Sequence, residues 1–235
     1  MPKKISKRFK KALEMLEAGK SYSVADAAEL LGKFPKAKFD ESVEIAFRMT
    51  IDPRKTDQMI RGTVRLPHGS GKEVKVLVFA KEGEAANAAK EAGAEFVGFE
   101  EYIEKVTNGW TDFDIAVATP EAMTEVRKLG RVLGPRGLMP NPKTGTVTDD
   151  TAKAVQEVKA GRVEYKLDKG ANVQVLAGKV SFSSDQIVEN IRTIIDAIIK
   201  AKPSAAKGRY IDNCVLSSSM SPGIPLDLRE VLKGL

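Results

Sequence analysis

The sequence predicts a mixed fold, with an α+β domain formed by both chain ends and an inserted three-layer α/β domain between them. Near both ends, polar and apolar residues alternate with period two, as in strands that bury one face and expose the other. The middle contains continuous apolar runs separated by helices, which is typical of a parallel sheet covered on both faces. Residues 1–66 offer one strong strand, which cannot form a sheet alone. We therefore expect a terminal domain of residues 1–66 and 160–235, with residues 67–159 inserted.

The first residues of the chain predict an amphipathic helix. Phe9, Leu13 and Leu16 are spaced along one helical face. Ser23 then precedes a second helix over residues 24–31. The cations of the first helix are either solvated or in contact with phosphate, and the sequence leaves both possibilities open. These cations are Lys3, Lys4, Lys7, Arg8, Lys10 and Lys11.

A long alternating strand is predicted over residues 42–51. The preceding segment, residues 36–41, places Phe39 between basic and acidic groups. Phe39 is therefore either a core residue or a platform for a base or a sugar. After the strand, a turn ends in the two cations Arg54 and Lys55.

The predicted insertion begins at a glycine-containing segment, LPHGSGK. This segment lacks the leading glycine of a phosphate-binding loop, and Glu73 stands where Ser or Thr would hold a metal, so we interpret it as a hinge or turn. Apolar strands are then predicted over residues 74–79, 95–98 and 113–118. The resulting domain is Rossmann-like, but its first strand-to-helix turn lacks the dinucleotide glycine signature. The fold class alone therefore predicts no enzyme.

The segment from Lys128 to Val147 is rich in glycine and proline. Gly134-Pro135 and residues 140–142 (Pro-Asn-Pro) predict turns that interrupt regular structure. Apolar residues in the same segment predict that it packs onto the domain rather than being disordered. It either serves only to fold the inserted domain or contacts a partner. The cations available for such a contact are Arg131, Arg136 and Lys143.

The C-terminal part of the chain returns to half-exposed strands. A helix near residues 149–158 leads to an alternating strand that ends in a tight turn at Asp168-Lys169-Gly170. A return strand follows over residues 173–182, and Ser184 is expected to cap a helix with a wide apolar stripe. The last strand is predicted over residues 210–219, with hydroxyl side chains at its end.

Composition narrows the classes of function. A formal charge of +6 and a pI near 9.2 favour a polyanionic partner. The chain has one cysteine, Cys214, which we expect to be a buried strand residue, and one histidine, His68. A histidine metal site or a Cys/His catalytic pair is therefore not expected, nor is a cofactor. No apolar run approaches the roughly 20 residues of a membrane span, so a cytoplasmic protein is expected.

Several stretches together resemble a known family. LGRVLGPRGLMPNPKTGTV, with KFDESVE, IDPRKTDQMIRGTVRLPHGSGK and the closing SSSM, is similar to the bacterial family of large-subunit ribosomal protein one, the L-one family. The resemblance runs from about Tyr22 to Met220 and implies a monomer outside the ribosome, with a split RNA-binding domain. It implies binding to large-subunit ribosomal RNA at the mobile stalk, movement as deacylated tRNA leaves the exit site, and repression through the protein's own messenger RNA. The residues that match the family's RNA-binding motifs are Lys38, Phe39, Glu41, Arg54, Asp168, Lys169, Asn213, Ser219, Met220 and Ser221.

Two positions depart from the family pattern. The last strand usually ends Thr-Thr-Met-Gly, whereas this chain has Ser218 to Ser221 with Met at position 220, which adds a side chain where the backbone is expected to approach RNA. The turn after Lys169 usually places glycine second, whereas this chain has Gly170-Ala171.

Two other classes of function compete with a structural RNA-binding protein. An α/β enzyme could use the glycine-rich segment to hold a phosphorylated substrate, but no histidine, nucleophile or carboxylate pair lies beside it in the sequence. A nonspecific DNA binder would bind duplex DNA and folded ribosomal RNA equally. We therefore expect a non-catalytic protein of the large ribosomal subunit.

Overall fold

A computed structural model of the chain describes residues 5–232, so Lys3 and Lys4 of the N-terminal cluster lie outside the described residues. The chain forms two compact units, and each is described by itself. The first contains the chain up to Gly71 and from Val163 onward, and the second contains Lys72–Arg162. These limits differ by a few residues from those predicted from the sequence.

The mixed α/β character predicted from the sequence is confirmed. Short 3-10 turns at Thr56–Gln58, Arg127–Leu129 and Pro142–Thr144 add to the regular elements. In chain order the helices and strands are α1 (Lys7–Glu14), α2 (Val24–Lys33), β1 (Ser42–Met49), β2 (Arg61–Arg65), β3 (Val76–Phe79), α3 (Glu84–Glu91), β4 (Phe96–Gly98), α4 (Glu100–Thr107), β5 (Ile115–Ala118), α5 (Met123–Val126), α6 (Gly130–Arg136), α7 (Thr151–Lys159), β6 (Arg162–Lys166), β7 (Asn172–Lys179), α8 (Ser184–Lys200), β8 (Ile211–Ser218), β9 (Ile224–Pro225) and α9 (Leu228–Val231).

The first unit is built on an antiparallel four-stranded sheet in the order β7-β1-β8-β9. Alternate residues of β1, including Ile45 and Phe47, are fully buried against the apolar stripes of α2 and α8. Cys214 is buried in β8, as expected, and burial raises the pKa of its thiol to about 12, so the thiol stays protonated. The intervening residues of β1, such as Glu44 and Arg48, lie on the opposite and open face of the sheet.

On the predicted apolar side of α1, Ala12 enters the core and Leu13 is 40% exposed. Two local expectations for the first unit are wrong. Residues 1–66 supply a second strand, β2, which pairs with β6 rather than with β1. The N-cap of α8 is Ser183 and not Ser184, because Ser183 and Gln186 form a reciprocal capping box.

The segment LPHGSGK forms a tight turn at the end of the first unit's N-terminal part. Gly69 and Gly71 both have positive φ, at 69° and 68°. The fully buried Asn190 of α8 accepts a hydrogen bond from the His68 N–H and donates to the Gly69 carbonyl and to the Ala177 carbonyl of β7. One side-chain amide thus ties this turn to the sheet.

The second unit contains a parallel sheet in the order β4-β3-β5. Leu77 and Phe79 of β3 pack into one apolar cluster, while Val76 and Val78 pack into another on the opposite face. Val147 adds a parallel bridge to Ala118 at the edge of β5. None of the helices between residues 5 and 232 combines the length and the apolar character that a membrane crossing requires.

The glycine- and proline-rich segment is more regular than predicted. Gly134 and Pro135 lie inside α6, and the helix ends at Gly137, whose φ is 73°. The reason is tertiary packing, because Leu129 and Leu133, one helical turn apart, are both buried in the core of the second unit. Pro135 removes only one late N–H from this short helix. The Pro-Asn-Pro turn forms as expected, with Asn141 capping the 3-10 turn that follows.

Candidate nucleic-acid interface

The predicted RNA-binding residues lie at two ends of the same strand. β1 has eight residues and therefore spans about 23 Å. Its first residue, Ser42, accepts a hydrogen bond from the Ser219 N–H just after β8 and donates its own N–H to the Ser219 hydroxyl, and its last residue, Met49, donates to the Ala171 carbonyl. The Glu41 cluster, at the start of β1, contains Lys38, Phe39, Glu41, Ser219, Met220 and Ser221. The Asp168 cluster, at its end, contains Arg54, Asp168, Lys169 and Asn213.

Glu41 is the centre of the first cluster. The residue is only 5% exposed, and its two carboxylate oxygens accept hydrogen bonds from donors on three separate parts of the chain. Oε1 accepts from the Ala37 N–H at 2.9 Å and lies 3.3 Å from the Arg8 guanidinium of α1. Oε2 accepts from the Ser218 hydroxyl at 2.6 Å and from the Met220 N–H at 3.1 Å. Glu41 therefore holds the cluster together, and its oxygens are already occupied by protein donors.

The ionised form of Glu41 is favoured despite its burial. Burial alone would raise the pKa of this carboxyl. The hydrogen bonds from Ser218, Ala37 and Met220 and the charge of Arg8 outweigh that effect, so the pKa lies below its ordinary value. At neutral pH the carboxylate is charged and fully engaged as an acceptor.

Phe39 is exposed, and the two residues that follow it are anchored to different strand ends. Its side chain is 57% exposed, which excludes the core role that the sequence left open. The carboxylate of Asp40 accepts hydrogen bonds from the Ser181 N–H at 3.1 Å and the Ser181 hydroxyl at 2.8 Å. Glu41, two residues after Phe39, anchors the same segment to Ser218 at the end of β8. Lys38 is also exposed and precedes this anchored pair.

A tight turn closes the end of β8 beside Phe39. The Ser221 N–H donates to the Ser218 carbonyl at 3.2 Å, and the Ser221 hydroxyl accepts from the Ser218 N–H at 2.8 Å. The serine that replaces the family's glycine is therefore used to close the turn. Met220, at the tip of this turn, is 52% exposed although its N–H is bonded to Glu41. The hydroxyl of Ser219 accepts from the Ser42 N–H at 3.1 Å and faces solvent.

Lys179 is a cation of this cluster that sequence reasoning missed. It ends β7 directly opposite Ser42, and its ammonium donates to the Ser42 hydroxyl at 3.0 Å. Only the register of β7 against β1 places this lysine near Phe39 and Ser219. No local sequence signal indicates it.

The Asp168 cluster is organised by a local turn. Oδ1 of Asp168 accepts from the Gly170 N–H at 2.8 Å and from the Asn172 N–H at 2.7 Å. The Asn172 backbone hydrogen bond is the main reason that the pKa of Asp168 lies below its ordinary value. Ala171 has a φ of 61°, the only positive φ of a non-glycine residue within residues 5–232. A side chain at Gly170 would meet the Asn172 side-chain amide at 2.9 Å, so that amide would have to move from its position beside Asp168.

The remaining members of the Asp168 cluster are exposed polar residues. Lys169 lies at the tip of the Asp168 turn. Arg54 lies in the turn that follows β1, where its N–H donates to the Asp52 carboxylate at 3.0 Å. Asn213 lies on the open face of the sheet opposite Arg48. Small and polar side chains of the open sheet face separate this cluster from the Glu41 cluster.

Comparison with known protein families identifies the family of the chain. A model of the ribosomal protein L1p/L10e family matches residues 31–222, a range that contains both clusters and the whole second unit. The chain belongs to the ribosomal protein L1p/L10e family. An L1p/L10e protein is a structural component of the large ribosomal subunit, in the cytoplasm, and binds its ribosomal RNA. The family resemblance recognised from the motifs is thereby confirmed.

The second unit of this L1p/L10e protein carries the other predicted contact residues. Arg131 and Lys143 are exposed, and neither forms an ion pair with any residue in the described part of the chain. The Arg136 guanidinium donates to the Thr111 hydroxyl. The backbone around Lys143 is fixed by hydrogen bonds between Asn141 and Thr146. These cations are therefore presented on an ordered surface.

Proposed function

We propose that the Glu41 cluster is the primary site for large-subunit ribosomal RNA and that the Asp168 cluster is a second contact along the same strand. The observation that carries this proposal is the exposure of Phe39 and Met220 on backbone that Glu41 holds in place. A folded protein has no packing reason to expose two large apolar side chains on the backbone of one cluster. A base or a sugar stacked on them would remove that apolar surface from water.

The chemistry around these two side chains suits RNA. Ser219 supplies a hydroxyl, and Lys38 and Lys179 supply cations at the rim. Hydroxyls and cations hydrogen-bond to phosphate and ribose oxygens, and the 2′-OH of RNA gives such a surface a group that DNA lacks. Because the surface is rigid, it recognises the shape of a folded RNA.

In the cell, we propose, the RNA bound here is the mobile stalk near the tRNA exit site. The protein then moves with the stalk and assists the movement and release of deacylated tRNA. The cations of the second unit, Arg131, Arg136 and Lys143, supply a secondary contact to RNA or tRNA. Free protein that binds a similar structure in its own messenger RNA represses its own translation.

The test is binding of the purified protein to a folded stalk fragment of large-subunit ribosomal RNA over a range of salt. A scrambled RNA of equal length and a DNA duplex are the controls. We expect a preference of about 10³ or more for the stalk fragment that persists at high salt. Equal binding to all three nucleic acids that disappears with salt would contradict the proposal.

The messenger RNA role is tested by competition. If one site serves both RNAs, the stalk fragment displaces the leader of the protein's own messenger RNA, and Met220→Asp weakens both complexes by the same factor. Simultaneous binding of the two RNAs to one protein molecule would show that repression, if present, uses another surface.

A further inference from the structure

The N-terminal helix α1 lies beside the Glu41 cluster, outside the residues that match the family model. The match begins at residue 31, whereas α1 covers Lys7–Glu14. The Arg8 guanidinium reaches the buried Glu41 carboxylate at 3.3 Å. Arg8 and Ala12 also line one cleft together with Met220 and Ser221. Contacts made by the side chains of Arg8 and Ala12 therefore hold α1 against the proposed RNA site.

The rotation of α1 determines which of its cations lie toward that site. Successive helical residues are rotated by about 100°, so Lys11 lies about 60° from Arg8, Lys7 about 100° and Lys10 about 160°. All three turn away from the core side marked by Ala12. Lys11 and Lys7 therefore continue the flank on which Arg8 meets Glu41. Lys10 lies on the far side of the helix.

Lys7 and Lys11 have no acidic partner in the described part of the chain. Lys7 and Lys11 are exposed, and neither forms an ion pair with any residue from 5 to 232. The only acidic residue of α1 is Glu14, in its last turn. Two unpaired ammonium groups next to a site for RNA attract its phosphates and release counterions when they contact them.

Resting on the proposed function, we infer that α1 is a phosphate clamp that extends the Glu41 cluster, with Lys11 and Lys7 in contact with the backbone of the same RNA. A membrane surface is the other common partner of a basic amphipathic helix. Here Ala12 is buried and Leu16 packs against the same core, so the apolar side of α1 is partly covered, although Leu13 is 40% exposed. The charged flank of the helix is the part left fully open, which fits RNA phosphate.

The experiment compares Lys11→Ala, Lys7→Ala and Lys10→Ala in the full-length protein. Each removes one exposed lysine from the same helix, and alanine preserves helix propensity. Affinity for the folded stalk fragment is measured from about 0.05 to 0.4 M salt. We expect Lys11→Ala to lower affinity about fivefold to tenfold at 0.1 M salt and to reduce the salt slope by about 0.7 to 0.9. We expect a smaller loss for Lys7→Ala and a change within about twofold for Lys10→Ala.

Two outcomes separate failure of this inference from failure of the proposed site. If the wild-type protein shows no preference for the stalk fragment over scrambled RNA, the proposed site itself is wrong. If that preference exists and Met220→Asp removes it, but the three lysine variants lose affinity equally or not at all, only the clamp is overturned. Thermal unfolding of each variant checks that the fold is unchanged.

Discussion

The two ends of strand β1 each carry a carboxylate that gathers hydrogen-bond donors, but the two carboxylates connect very different lengths of chain. Glu41 joins α1, the segment before β1 and the end of β8. Within residues 5–232, the carboxylate of Asp168 accepts hydrogen bonds only from residues two and four positions ahead of it. The two halves of the proposed site therefore differ in origin. One is a product of the tertiary fold, and the other is a turn that the local sequence builds.

The largest expected effect is the loss of Glu41. Glu41→Ala leaves the Ser218 hydroxyl, two backbone N–H groups and the Arg8 charge without their acceptor in a buried place. We expect a loss of about 3 kcal/mol in the free energy of unfolding, measured by urea denaturation. A loss below about 0.5 kcal/mol would mean that water replaces the carboxylate and that Glu41 is not the organising residue.

The next effect concerns binding rather than stability. Met220 is half exposed at the Glu41 end, so Met220→Asp should leave the unfolding midpoint unchanged and weaken RNA binding by about 1–3 kcal/mol. At the other end, Lys169→Ala should cost less than about 1 kcal/mol and reduce the salt slope by about one unit. If Lys169→Ala has the larger effect on affinity, the Asp168 cluster is the primary site.

A pH titration sharpens the contrast further. The folded-state pKa of Glu41 lies below its ordinary value of 4.5, so its stabilisation is present above that pH and is lost as the pH falls through the folded-state pKa. The free energy of unfolding of wild type should therefore exceed that of Glu41→Gln by about 1–2 kcal/mol at pH 7. The difference should shrink toward zero as the pH is lowered below 4.5. A constant difference from pH 7 to about 3 would show that charge is not what stabilises the cluster.

Removing the local carboxylate should have a smaller consequence. Asp168→Ala deletes the acceptor for the N–H groups of Gly170 and Asn172, which are at the surface and can bond to water. We expect a loss of about 1 kcal/mol in urea unfolding and no change at the Glu41 end. Additivity of Asp168→Ala with Met220→Asp in RNA affinity would support the independence of the two clusters.

The smallest predicted effect is a gain. Ala171 holds a left-handed backbone conformation that glycine adopts without strain. Ala171→Gly should stabilise the protein by about 0.5 kcal/mol, the relief of strain being partly offset by the greater freedom of the unfolded chain. The matched control is Gly170→Ala, which should destabilise because its side chain would approach the Asn172 amide. A loss of stability for Ala171→Gly would contradict this account of the reversed glycine.

The sequence predicts helices and strands that depend on local periodicity. It does not predict contacts between residues that are distant in the chain. The alternation around β1 placed that strand to within two residues, and the hydroxyl-rich end of β8 was visible in the sequence. Three of the partners of Glu41 could not be predicted, because Arg8, Ser218 and Met220 are distant in the sequence and reach Glu41 only through the tertiary fold. Lys179 was missed for the same reason.

The errors in local structure have physical causes of the same kind. Gly134 and Pro135 carry strong turn signals, yet burial of Leu129 and Leu133 keeps that segment helical. Periodicity places Leu13 on one face with Phe9 and Leu16, whereas in the structure Ala12 is the buried residue of α1 and Arg8 lies against Glu41. In contrast, the S-x-x-Q pattern at Ser183 was readable and would have given the correct cap of α8.

The distribution of Glu41's partners also sets when a newly made chain becomes able to bind RNA. Synthesis proceeds from the N-terminus, so α1, Glu41 and Phe39 are made long before Ser218 and Met220 exist. Until residue 220 has been added, the carboxylate lacks the hydroxyl and the N–H that fix the turn beside Phe39. Unfinished chains therefore carry an exposed Phe39 without the turn that Glu41 fixes, and on the proposed site RNA binding begins only once residue 220 has been added.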